Sequence, residues 1–339
     1  MGTEKEQTPV PRNRLADSHG PAWLVQAAVI ARQFFIDGRS KKEIADDLGL
    51  SRFQVARILD EARDLGLVEV TVRLPALIDA EASTDLRRHL GITRTIVVRH
   101  DDPYEPVRSS IGRIGADLLT ELVTAEDTLG LSCSRSVFTA TEMLGRLPAC
   151  RVVQLTGTLA SGMPGGGSVE SVRNAVAAGA GEAFAVYAPM LVPDEATARS
   201  LMSKPAIAEA FAQIGSVTTA MVAFGGWGPG ASTIWDELSA EDRELATTLG
   251  AVGEVGGRIF DDRGRQLESN VDGRVIGMTL EQLRRIDHVV GLAHHADRAA
   301  AVRAAARGGL LDTLVCDDLL ARALLALPDA SPSTTKTAS

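Results

Sequence analysis

Apolar residues recur at helical spacing over residues 22–36 (Leu24, Ala27, Ala28, Ala31, Phe34, Phe35), and Asp37-Gly38 follows as a stop signal. Ser40, with Glu43 three residues on, has capping-box spacing and predicts a short helix over 41–48 that ends at Gly49. Ser51 opens a third helix running to about Leu65, where Gly66 stops it. Alternation over 68–72 predicts a short strand. Pro75 breaks that run, and residues 76–90 read as a connecting helix.

Beyond Thr95 the rhythm changes. Short β-branched runs at 95–99, 129–132, 152–156, 183–188, 220–225, 288–293 and 313–315 predict strands. Alanine- and leucine-rich stretches at 108–122, 137–147, 169–178 and 298–306 predict helices between several of them. Such alternation means βαβ units and a mainly parallel sheet covered on both faces. The fold class is therefore α/β: a small all-α amino-terminal domain with a wing, then a larger Rossmann-like parallel-sheet domain. The expected division is a disordered lead-in over 1–20, a helical domain over 21–74, a connecting helix over 75–90, a sheet domain over 91–327 and a disordered tail over 328–339.

Helix, short helix, glycine-containing turn, helix is the helix-turn-helix pattern, with the turn at 48–51. On a wheel of about 100° per residue, Val55, Ile58, Leu59, Ala62 and Leu65 of the third helix share the core side. Arg52, Phe53, Ala56, Arg57 and Asp60 share the opposite side. Arginine can bind guanine O6 and N7 bidentately, and an apolar group can touch a thymine methyl. The expected DNA-reading set is thus Ser51, Arg52, Phe53, Gln54 and Arg57, with Gln54 on the flank able to reach a base or a phosphate. Arg39, Lys41 and Lys42, near the start of the second helix, are placed to bind phosphates without reading sequence. A helical hairpin with merely solvated arginines is the bland alternative.

Charge bears on this. The 339 residues carry 35 Lys plus Arg against 44 Asp plus Glu, a net charge of -9, which by itself argues against a polyanion binder. Through Leu74, however, there are eleven residues of each sign, so the excess acid belongs to the remainder. A neutral reader with few phosphate contacts binds DNA weakly, and linking two readers in a dimer or tetramer repairs that. The composition, 45% hydrophobic and only 4% aromatic, suits a globular protein with an aliphatic core. Three scattered cysteines (Cys133, Cys150, Cys316) fit reduced, buried thiols of a cytoplasmic protein rather than a disulfide framework. No apolar run approaches a membrane span, and the polar start lacks a signal-peptide core.

In the larger domain, residues 129–136 (LGLSCSRS) read as a strand entering a small polar loop before a helix. The hydroxyls of Ser132, Ser134 and Ser136, the Arg135 guanidinium and the backbone N–H groups at the helix start make a plausible phosphate cradle. A serine-rich loop of this kind is also often only a cap.

The order of elements then becomes specific. After the helix-turn-helix and the 129–137 loop come the 152–157 strand, MVAFGGWG at 221–228, GAVGEVGGRIFDD at 250–262 and RAAAVRAAARGGLLDTLVCDDLL at 298–320. This arrangement resembles the SorC family of bacterial sugar-responsive transcription regulators over about residues 21–325. The resemblance implies an effector domain similar to sugar-phosphate isomerases and glucosamine-phosphate deaminases that has lost catalysis. It implies phosphate contacts at Ser134, Arg135 and Ser136, and sugar-facing positions at Gln154, Gly157, Gly225, Glu254 and Asp317. Arg298 stands where the family usually has lysine, and its planar fork changes the geometry. His294-His295 replaces a glycine pair and Cys133-Ser134 replaces Trp-Gly, so the ligand departs from the common phosphosugars.

The implied partners are palindromic operator DNA, a sugar, polyol or sugar-phosphate effector, and further copies of the chain, with no membrane, no cofactor and no metal. His294-His295 is not read as a metal pair, because adjacent residues point apart and no carboxylate or cysteine cluster has ligand spacing. The expected function is a regulator, most simply a repressor, of a carbohydrate or polyol catabolic operon. An isomerase- or deaminase-like enzyme using Glu254, Asp317 and Asp318 as acid–base carboxylates is the alternative, and a constitutive architectural DNA binder is a third.

Overall fold

The computed structural model describes residues 19–68, 77–99, 106–159 and 167–330. Most of the expected lead-in, most of the expected wing strand at 68–72 and most of the carboxyl-terminal tail lie outside the described residues. The chain forms two units, Met1–Arg73 and Leu74–Ser339.

Among the described residues of the first unit three helices, α1 (Pro21–Phe35), α2 (Lys41–Leu48) and α3 (Arg52–Asp64), bury one apolar cluster. Ala27, Ile30 and Ala31 of α1, Ile44 and Ala45 of α2, and Val55, Ile58, Leu59 and Ala62 of α3 form it. Ser40 and Ser51 each close a capping box, the first with Glu43 and the second with Gln54. Each box satisfies N–H groups that a helix start otherwise leaves orphaned. Between the boxes Gly49 takes φ +67°, a conformation costly for other residues, and the Leu50 N–H returns to the Ala45 carbonyl at 2.9 Å. This tight turn sets the angle at which α3 leaves α2.

Among its described residues the second unit is a ten-stranded sheet flanked by helices. Its strands are β1 (Ile78–Asp79), β2 (Arg94–Val98), β3 (Thr128–Leu131), β4 (Arg151–Gln154), β5 (Glu182–Phe184), β6 (Thr219–Gly226), β7 (Gly253–Val255), β8 (Arg258–Phe260), β9 (His288–Ala293) and β10 (Thr313–Asp317). The helices are α4 (Ala80–Leu90), α5 (Val107–Leu122), α6 (Arg135–Glu142), α7 (Gly167–Gly179), α8 (Glu195–Met202), α9 (Pro205–Ala212), α10 (Ala240–Thr248), α11 (Leu280–Arg285), α12 (Ala299–Arg307) and α13 (Asp318–Leu325). The order β1-β2-β10-β9-β6-β3-β4-β5 is parallel except at the β1 edge, and the β7–β8 hairpin hangs antiparallel from the end of β6.

Alternate residues of the central strands enter opposite cores. Ala220, Val222, Leu314 and Cys316 face the layer of α4, α11, α12 and α13, while Met221, Leu292 and Val315 face α5, α6 and α7. This is the pattern of a sheet buried on both faces. The α/β expectation holds.

Three local expectations need correction. Residues 76–90 do not read as one helix: Ile78 and Asp79 pair with Val98 and Val97 as an edge strand, and the helix begins at Ala80. Asp79 is its cap, accepting the Ala82 N–H at 3.0 Å. Leu86 and Leu90 then bury in the sheet core, so α4 is a packed element and not a free connector. The helix expected over 137–147 runs from Arg135 only to Glu142, and the strand expected over 183–188 is confined to Glu182–Phe184.

Candidate functional site

On α3 the core and outer faces separate as the wheel requires. Arg52, Phe53, Gln54 and Arg57 are exposed, and Phe53, at 86% exposure, is an apolar ring held in solvent. Covering it against a partner would remove that apolar area from water. Arg57 lies 3.6 Å from Glu61 one turn on, a loose exposed pair that does not immobilise it. Gln54 is tied down: its Oε1 accepts the Ser51 N–H at 2.8 Å, so only its amide N–H groups remain for another partner. Ser51 Oγ is likewise engaged, accepting from the Gln54 N–H. Arg39 donates to Asp47 at 2.9 Å, and the Lys41 ammonium stands 5.5 Å from the Phe34 ring centre. Lys42 is exposed.

In the second unit the chemistry gathers at the carboxyl ends of the parallel strands, where open α/β sheets bind ligands. A cavity of about 480 Å³ is lined by Pro106, Val107 and Arg108 at the start of α5, by His294 and His295 after β9, and by Asp317 at the end of β10 with Asp318 and Leu319 beyond it. The 132–136 loop follows β3. Ser134 caps α6, its Oγ accepting the Val137 N–H at 3.0 Å. Ser136 is buried, Arg135 is exposed, and the buried Ser132 hydroxyl has no hydrogen-bond partner.

Asp317 is 1% exposed, and its Oδ1 accepts the N–H groups of His295 and Leu320, each at 3.1 Å. Arg298 donates to the His294 carbonyl at 2.9 Å, to Asp297 at 2.8 Å and to the Gly230 carbonyl at 3.2 Å, joining two loops. Glu254 is wholly buried; Oε1 accepts the Thr233 N–H and Oε2 the Gly257 N–H. Burial pushes its carboxyl pKa up, against the opposing pull of those hydrogen bonds and of Arg298.

Two expected sugar-facing residues turn inward instead. Gln154 is 0% exposed; its amide nitrogen donates to Thr156 O, Ser168 Oγ and Val186 O, and its oxygen accepts the Val186 N–H. Nothing is left to offer a ligand, and Gln154 braces the chain after β4. At Gly157 a Cβ would stand 2.5 Å from the Pro189 carbonyl oxygen, so this glycine serves a backbone crossing.

Sequence reasoning left Arg108 out of the site. Its signal was positional: the first turn of a helix entering from the carboxyl end of a parallel strand. The sequence reads His294 and His295 as bulk in place of a glycine pair and not as a metal pair. His295 holds φ +71°, the left-handed region that glycine occupies without strain. His294 is 7% exposed with an unpartnered Nδ1, and its pKa is lowered to about 3 by burial and by the charges of Arg298, His295, Arg108 and Arg135. All three cysteines are buried free thiols. Among the described residues no three His, Cys, Asp or Glu side chains converge as metal ligands, and no helix is long and apolar enough to cross a membrane.

Residues 75–326 match the family model described as "Putative sugar-binding domain". The chain belongs to the SorC-type family of sugar-binding transcriptional regulators. Its relatives in this family include the transcriptional regulator YjhU of Escherichia coli K12, 26% identical over 311 residues that cover 86% of this chain and 92% of that one. The deoxyribonucleoside regulator of Bacillus subtilis is also 26% identical, covering 87% and 95%. The fold agrees with the full-length sorbitol operon regulator SorC from Klebsiella pneumoniae, at a TM-score of 0.67 and 20% identity, with 89% of this chain and 99% of that one covered. These relatives are named as regulators and not as enzymes.

Proposed function

We propose that this family member is a cytoplasmic repressor of a carbohydrate or polyol catabolic operon, released by a sugar, polyol or sugar-phosphate effector held in the second unit. The observation that carries it is one chain holding both a reading helix with Arg52, Phe53 and Arg57 exposed and a ligand-sized cavity at the strand ends. Phosphate is held by Ser134, Arg135, Ser136 and Arg298, with the Ser132 hydroxyl as a further donor; Asp317 and the chain around Gly225 and Glu254 shape the sugar side. On the DNA, Arg52, Phe53 and Arg57 meet base edges, while Arg39, Lys41, Lys42, Ser51 and Gln54 meet the backbone.

Control is a population shift. The effector prefers one arrangement of a homodimer or homotetramer, and only one arrangement spaces two readers to match a palindromic operator. The isomerase-like alternative would use the same carboxylates, but Glu254 and Asp317 anchor backbone: Glu254 accepts the Thr233 and Gly257 N–H groups, and Asp317 Oδ1 those of His295 and Leu320.

A thermal-shift screen of sugars, polyols and their phosphates, followed by operator binding with and without each hit, tests the reading. A hit that stabilises the chain and weakens operator binding supports it. A screen without hits, or a hit that is turned over, rejects it.

A further inference from the structure

The effector reading leaves two polar groups unexplained. Arg108 Nε is buried without a hydrogen-bond partner, and so is His294 Nδ1, on a side chain 93% removed from solvent by its 7% exposure. Both residues line the same cavity. Leaving a buried donor or acceptor unpaired costs about 1–3 kcal/mol, more for a charged one, unless something arrives to pair it.

What arrives is set by charge. Arg108, Arg135 and Arg298 all act on the His294 imidazole, and Arg135 and Arg298 both act on Arg108. Arg298 has its counter-ion in Asp297 at 2.8 Å. Among the described residues neither Arg108 nor Arg135 has one. Asp318 is paired with Arg322, and Asp317, whose Oδ1 accepts the His295 and Leu320 N–H groups, is not among the groups that act on Arg108. Arg108 and Arg135 therefore stand at the strand ends without an ion-pair partner among the described residues.

Helix geometry adds to this. Helices α5 and α6 both run back from the strand ends and pack side by side, where a Cβ on Gly112 would come 2.7 Å from Thr139 Cγ2. Arg108 and Arg135 each lie four residues before that contact, so the two amino termini are level. The sixteen-residue α5 begins after Pro106 with no side-chain cap and no acid in its first turn; the Ser109 N–H returns to the Pro106 carbonyl at 2.8 Å, and the Val107 and Arg108 N–H groups and the positive dipole end have no side-chain acceptor. The 132–136 loop at α6 does not line the cavity, whereas the start of α5 does.

We propose that Arg108, His294 and the amino end of α5 form a second anion subsite, so that the effector carries two anionic groups. One is a phosphate at the 132–136 loop, and the other is a carboxylate or phosphate received by Arg108. The inference rests on the effector-pocket reading above. His294 remains neutral beside the arginines and so offers its ring nitrogen to a ligand oxygen or hydroxyl without adding charge.

Isothermal titration of the full chain with two matched pairs tests it: glucose 6-phosphate against 6-phosphogluconate, and fructose 6-phosphate against fructose 1,6-bisphosphate. The first pair adds a carboxylate, the second a phosphate. Tighter binding of the doubly anionic member by about tenfold or more in at least one pair is expected, and the pair that responds identifies the second group. Arg108→Gln is expected to bring that ratio close to one, Arg108→Lys to keep part of it, and Arg135→Gln to weaken both members while preserving it. A ratio below about threefold in both pairs, or a ratio that persists in folded Arg108→Gln, overturns the second subsite alone. Absence of binding by all four compounds overturns the two-anion inference and leaves the effector-pocket reading to the wider screen above.

Discussion

Glu254 closes against Gly225: a Cβ at position 225 would come 2.5 Å from Glu254 Oε1, the oxygen that accepts the Thr233 N–H at 2.8 Å. The two residues are register partners where the β7–β8 hairpin joins β6. A methyl group there has to displace the carboxylate from the loop it anchors. Gly225→Ala is expected to cost about 1–3 kcal/mol of stability, the range for forced overpacking, measured by chemical denaturation. It also loosens the 230–233 segment that Arg298 holds through the Gly230 carbonyl. Unchanged stability would show that the hairpin yields freely.

The outer face of α3 makes a prediction about DNA that separates reading from positioning. Arg57→Ala is expected to weaken binding to a verified operator by about 1–3 kcal/mol and to relax discrimination at one base pair. Lys42→Ala is expected to weaken all sequences alike and to reduce the slope of log K against log salt by about one. Filter binding at several salt concentrations distinguishes the two. Equal loss of specificity in both variants would move the reading face elsewhere.

Ser51 and Gln54 give a third test, because their reciprocal hydrogen bonds of 2.8 and 3.2 Å hold the start of the reading helix. Ser51→Ala removes the acceptor for the Gln54 N–H and is expected to destabilise the first unit by about 1 kcal/mol. Operator affinity falls with it, because Arg52 and Phe53 sit in the turn that the box fixes. Ser51→Asp, which keeps a capping oxygen, is expected to restore helix stability while its charge lowers DNA affinity. Calorimetry and operator titration together read both effects.

The two-unit plan, the three helices of the reader and the alternation of strand and helix were legible from spacing and caps, since each signal is local. The inward and outward faces of α3 followed from periodicity alone. What escaped depended on distant partners. Ile78 and Asp79 become a strand only because β2 offers them an edge. The β7–β8 hairpin has three-residue arms, too short to show alternation, yet Gly256-Gly257 between them was a readable signal: both take positive φ, as a two-residue hairpin turn requires. The family resemblance makes Gln154 sugar-facing, but its actual partners Ser168 and Val186 are remote in sequence. Arg108 carried only its position in the first turn of a helix as a signal; its significance is a missing partner, and only a structure shows what a side chain lacks.

His294 supplies a pH dependence whose sign follows from its surroundings. Burial, then the charges of Arg298, His295, Arg108 and Arg135, hold its folded pKa near 3, below the 6.5 of an unhindered imidazole. Between these values the unfolded chain binds a proton that the folded chain refuses, so stability is complete above about pH 6.5 and falls as pH drops toward 3. The slope is at most about 1.4 kcal/mol per pH unit. Between pH 7.5 and 5.0 the His294 share of the loss is about 2 kcal/mol. Urea unfolding at those two pH values is expected to show a difference smaller by about that amount in His294→Gln than in the unsubstituted chain. A bound anionic effector contributes negative charge beside the ring and raises its pKa, so saturating ligand is expected to shift the acid limb of the unsubstituted chain and to leave that of His294→Gln less affected. Identical pH profiles for the two proteins without ligand would mean that the imidazole is not held neutral in the fold.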